Sequence, residues 1–145
     1  DRLYALITRI DNTSAVIDEY RSDIKSSSLR SDTASLSTIL SNTSKSLTDY
    51  ATAKYNYKPK DVKQSVQEEE TLAKDALTDE LFKAKINGLL DDTFAHKMAY
   101  EVSIIMTREA QLMKSTSDDL YSILDGSYQS LDILYHKFDN FSETQ

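Results

Sequence analysis

Only two histidines occur in the 145 residues, and each follows an aspartate by four positions: Asp92 and His96 in DDTFAH, Asp132 and His136 in DILYH. On a helix that spacing carries both members of a pair to one face. Two imidazoles with two carboxylates could fill a tetrahedral zinc shell, or part of a manganese or iron shell. Ser115 to Asp119 read as a turn, so the pairs stand about equally far from it and at one height on antiparallel helices. Rotation works against the site. At about 100° per residue, the apolar stripe of the helix bearing His96 centres near Val102, which turns His96 towards the polar side; His136 lies further still from its own stripe. We therefore expect solvated side chains, with a peripheral divalent ion held by Asp92, His96, Asp132 and His136 as the alternative.

Glu109 raises a different chemistry. It falls inside the apolar stripe, close to the direction of Met98, Ile105 and Leu112, where an unpaired carboxylate costs several kcal/mol or takes up a proton. It needs a partner, and Tyr50 and Arg108 are the candidate donors. Two readings follow: a structural polar contact, or a ligand-facing group in a cavity near Glu109, Tyr50 and the methionines. Other catalytic signals are missing. There is no Gly-rich phosphate loop, no Gly-x-Ser-x-Gly elbow and no cysteine. The acidic run QEEE at 67 to 70 reads as a solvated face. Tyr121, Tyr128 and Tyr135 recur every seven residues, as the border of a core or as a partner-binding ridge.

The elements that must position these groups are helices. Two glycines and one proline interrupt the chain, too few for the turns of a sheet protein. Leu3, Leu6, Ile7, Ile10, Ile17 and Ile24 predict a first helix over 2–25; Leu29, Leu36, Ile39, Leu40, Leu47 and Tyr50 predict a second over 29–55, its other face rich in Ser and Thr. Pro59 ends it. From Asp61, the series Val62, Val66, Leu72, Ala73, Ala76, Leu77, Leu81, Phe82 and Ile86 marks a third helix, with a break near Thr78 and a cap at Asn87-Gly88. A fourth opens at Asp91 or Asp92 and runs to about Lys114. A fifth carries Leu120, Ile123, Leu124, Leu131, Leu134, Tyr135, Phe138 and Phe141. Short connections make neighbours antiparallel, so the expected fold is an all-α, antiparallel up-and-down helix bundle forming one domain over 1–145.

A net charge of −7 lacks the basic surface that nucleic acid requires, and the only local cluster of lysines, KYNYKPK at 54–60, reads as a solvated loop. No apolar run is long enough to span a bilayer. A chain starting at Asp1 leaves room for a signal peptide or membrane tether upstream. Asn12, Asn42 and Asn140 each open an Asn-x-Ser sequon, a weak pointer to secretion.

The run NGLLDDTFAHKMAYEVSIIMTREAQL, with the turn and helix after it, resembles the C-terminal hairpin of a bacterial family of ferritin-like, extracytoplasmic four-helix bundles of unknown function. Gly88 precedes Phe94 much as a glycine precedes an aromatic residue in that family. Leu29 through Pro59 is similar to its first long helix and proline loop. The likeness covers about residues 29 to 141 and leaves the first helix as an addition to a ferritin-like core. Ala95 and Met106 stand where the family pattern has an acid and often a histidine, so no metal or acid-base role carries over. The resemblance implies an exported bundle. We expect a non-enzymatic module without a cofactor, acting through its surface on a protein partner, or else binding a small ligand or a divalent metal.

Overall fold

The computed structural model describes residues 1 to 142, and among them every regular element is helical. Helix α1 (Arg2–Tyr20) starts where Asp1 accepts a hydrogen bond from the Leu3 amide, satisfying one of the amides a helix start leaves open. It ends in a short 3-10 turn over Arg21–Asp23 and so stops before the expected residue 25, although Ile24 beyond it is still buried. Helix α2 (Ser27–Tyr55) is capped by Ser26 and closes at Asn56, whose φ of 54° reverses the chain. Pro59–Asp61 forms a 3-10 turn, which delays α3 to Gln64–Ile86. That helix passes Thr78 without a break and ends at Gly88, where φ is +72°. Helices α4 (Leu90–Met113) and α5 (Asp118–Asp139) form a hairpin, α5 being capped by Ser117.

Burial follows the 3.6-residue period. On α2, Leu29, Thr33, Leu36, Leu40, Thr43, Leu47 and Ala51 form a seam at steps of three and four, leaving the Ser/Thr-rich remainder to solvent. Each fully buried leucine contributes about 1.5–3 kcal/mol. That sum, and not intrinsic propensity, holds a helix so rich in hydroxyl side chains.

Helices α1, α2, α5 and α4 pack in that cyclic order as four walls around Leu6, Ile10, Leu36, Leu40, Phe94, Val102, Leu131 and Phe138. Helix α3 lies outside, along the edge between α1 and α4. The N-terminal helix, expected as an addition to a core spanning 29–141, is thus one of the walls, because its stripe is buried along its whole length. The peripheral helix is α3, which buries only Glu70, Leu77, Leu81 and Ala84. Directions follow from contacts: Arg9 meets Glu101 while Lys25 and Ser26 meet Asp91, so α1 and α4 run oppositely. Asn12 meets Glu70, Tyr20 meets Thr78 and Asp23 meets Lys85, so α1 and α3 run parallel.

Candidate functional site

The two Asp-His pairs lie on the outer surfaces of α4 and α5. His96 and His136 are exposed, and the His136 Nδ1 lies 2.9 Å from the Asp132 carbonyl oxygen within its own helix. Among the described residues no three His, Asp or Glu side chains gather where one cation could take them all as ligands.

Glu109 is where the stripe placed it, with none of its surface exposed. Neither expected partner reaches it. The Tyr50 hydroxyl shares a hydrogen bond of 2.8 Å with Ser117 at the hairpin turn, and Arg108 points the other way, to Glu70 at 2.7 Å. Both carboxyl oxygens of Glu109 are without a hydrogen bond, as is the hydroxyl of Ser127 on α5. Ser127 lies near enough to draw the carboxyl's pKa down, yet outside bonding geometry. Burial dominates and pushes the Glu109 carboxyl up to about 8. The group is therefore mainly protonated at neutral pH, a buried neutral acid. It opens onto none of the surface grooves described below, and its surroundings on α4 are Ile105 and Met106, both buried.

The strongest constellation is one that spacing did not single out. Arg9 of α1 donates through Nε and Nη2 to the two oxygens of Glu101 on α4, each at 2.9 Å, and through Nη1 to Glu70 on α3 at 3.2 Å. Arg108 holds the other oxygen of Glu70, and Thr13 donates to Glu101 at 3.3 Å. Arg9, Glu70 and Glu101 are all buried. Burial works against the Arg9 charge, but hydrogen bonds and charges from Glu101 and Glu70 outweigh it and hold its pKa above the ordinary value. Two guanidinium groups and two carboxylates balance, so each charge is matched and none is left for chemistry. The cluster fastens α3 to α1 and α4.

Glu70 corrects the expectation for QEEE: Glu68 and Glu69 are exposed, while Glu70 points inward. A signal was there to read, since Glu70 lies seven residues before Leu77 and fourteen before Ala84, on the inward stripe of α3. The same helix overturns a second expectation. Leu72, Phe82 and Ile86, counted with the apolar series, are 71%, 54% and 67% exposed, and Leu89 just beyond is 55% exposed. With a core already closed by the four other helices, α3 has one apolar face more than it can bury.

Two grooves border these surfaces. One, of about 850 Å³, runs beside the start of α3 and is lined by Lys60, Val62, Gln64, Glu68, Thr71 and Leu72. The other, of about 420 Å³, follows the α4–α5 hairpin past Met106, Lys114, Tyr128, Tyr135 and His136. Tyr128 and Tyr135 are half-buried against the core and line this groove, whereas Tyr121, the first of the row, is exposed and does neither. No family model matches the chain, and neither does any curated protein or solved structure. No helix among the described residues is long and apolar enough to cross a membrane.

Proposed function

We propose that this chain is a non-enzymatic helical-bundle module that acts by binding a protein partner through its surface. The observation that carries the reading is the outward face of α3, where Leu72, Phe82 and Ile86 stand in solvent on a helix clamped in place by buried charges. Exposed apolar residues aligned on one face cost solubility and are commonly interaction sites. The buried groups offer no competing chemistry: the Arg9 cluster is saturated and Glu109 is sealed. The ferritin-like resemblance belongs to this proposal and suggests a bacterial, extracytoplasmic bundle. The exposure of Asn42 and Asn140 is compatible with that placement, whereas the Asn12 amide is engaged with the Glu70 carbonyl.

Site-specific photocrosslinking in the native host tests the reading. A photoreactive residue at Phe82 is expected to give a discrete protein adduct, and one at the exposed Ser46 on α2 to give none. Equal labelling at both sites, or none at Phe82, would contradict it.

A further inference from the structure

The outward residues of α3 follow a rule of their own. Positions 68, 72, 75, 79, 82 and 86 advance by alternating steps of four and three, the spacing by which one helix presents a seam to another. They read Glu68, Leu72, Asp75, Asp79, Phe82 and Ile86, and all six are exposed. Leu89 follows three residues after Ile86, beyond the helix end. The seam is therefore apolar at Leu72 and again at Phe82 and Ile86, with two aspartates between. Asp79 pairs with Lys83 of its own helix, at 2.9 Å and largely in solvent, a pair of little net worth that a partner's cation could displace.

We propose that this seam docks a basic amphipathic helix, one that lays apolar side chains over Leu72 and over Phe82 and Ile86 and places Lys or Arg against Asp75 and Asp79. The inference rests on the surface-interaction reading and adds the class of partner. Leu72 to Ile86 spans about 21 Å of α3 at 1.5 Å per residue, a straight face that a partner helix of about four turns covers with one apolar stripe. Charge selects the sign of the partner. A second copy is disfavoured: a two-fold antiparallel pairing that sets Leu72 over Phe82 also sets Asp75 of one copy against Asp79 of the other, and moving the axis to position 79 sets Asp79 against itself. An anionic membrane surface is disfavoured by the same acids. The groove past Glu68, Thr71 and Leu72 extends the seat at the start of the helix.

The test uses two synthetic amphipathic peptides of about three heptads, with leucine at the seam positions and either lysine or glutamate at the flanks. Binding is followed by titration calorimetry and mapped by amide chemical shifts on the whole chain. The Leu/Lys peptide is expected to bind with shifts centred on α3, and the Leu/Glu peptide at least tenfold more weakly. The variant Leu72→Ser/Phe82→Ser/Ile86→Ser should lose at least tenfold in affinity with an unchanged helical circular dichroism spectrum, because all three side chains are already in solvent. Asp75→Lys/Asp79→Lys should reverse the preference between the peptides. Shifts centred on the α4–α5 groove, equal affinity for both peptides, or no reversal would overturn the inference. If neither peptide binds but the crosslink at Phe82 still gives an adduct, the partner class is wrong and the surface reading stands. An adduct that is a second copy of the chain has the same consequence.

Discussion

Three carboxylates are buried along α4, and the protein treats each differently. Asp91 accepts hydrogen bonds from the backbone amides of Lys25 and Ser26, at 3.0 and 2.8 Å. Glu101 accepts from the Nε and Nη2 of Arg9. Glu109, two turns further on, has nothing. The chemistry of the side chain is nearly the same, so the difference lies in what the neighbouring elements supply. Asp91 faces the open amides of the α1–α2 connection and Glu101 faces a guanidinium. Glu109 faces only Ser127 and apolar side chains, and answers by keeping its proton. Burial of an acid is thus no sign of a reactive site by itself; the partner decides whether it anchors, clamps or stays neutral.

Removing the clamp's cation should have the largest effect. Arg9→Met leaves Glu101 and half of Glu70 buried without a counter-charge, and we expect a loss of about 3–5 kcal/mol in urea unfolding. Replacing Arg9, Glu70 and Glu101 together by Met or Leu should recover most of that loss, because the one charge then left without its partner is that of Arg108, which is half-buried and can turn to solvent. If the single and triple variants are equally destabilised, packing and not charge pairing holds α3.

The opposite sign is expected at the unpaired acid. Glu109→Leu removes an unsatisfied carboxyl and fills the same stripe, and should stabilise the fold by roughly 1–3 kcal/mol at pH 7. Destabilisation there would mean that Glu109 has a polar partner after all. Asp91→Ala should be the mildest of the three. Two neutral amides lose their acceptor at a partly solvated connection, for about 1–2 kcal/mol. Hydrogen exchange should quicken at Lys25 and Ser26 before it does elsewhere in α2.

Much of this was legible from spacing alone. The helices themselves, the cap at Asn87-Gly88 and the burial of Glu109 all follow from apolar period and capping chemistry. The clamp was not, because Arg9, Glu70 and Glu101 sit on three helices whose mutual rotation only packing determines. The same blindness misplaced α3. Its face of Leu72, Phe82 and Ile86 is as apolar as the face of Leu77, Leu81 and Ala84, and a single helix cannot say which one its neighbours will cover. Tyr50 is a candidate donor to Glu109 by sequence, but its hydroxyl ends at Ser117. The Asp-His pairs show the converse: rotation about one helix axis is a local property, and it placed both imidazoles in solvent.

In the folded chain Glu109 is a neutral, sealed group. Its pKa is raised from 4.5 to about 8 in the folded chain. Between those values the folded state holds a proton that the unfolded chain releases, so stability must fall as pH rises through that window, by up to about 1.4 kcal/mol per unit, and level off outside it. Below pH 4.5 both states are protonated and the penalty vanishes. The decisive measurement is the urea stability of the wild type and of Glu109→Gln across pH 4 to 9. We predict that the variant gains on the wild type steadily from about pH 4.5 to 8, reaching roughly 3–5 kcal/mol. Parallel curves over that range would mean that Glu109 is charged and paired in the fold, and the contrast along α4 would be wrong.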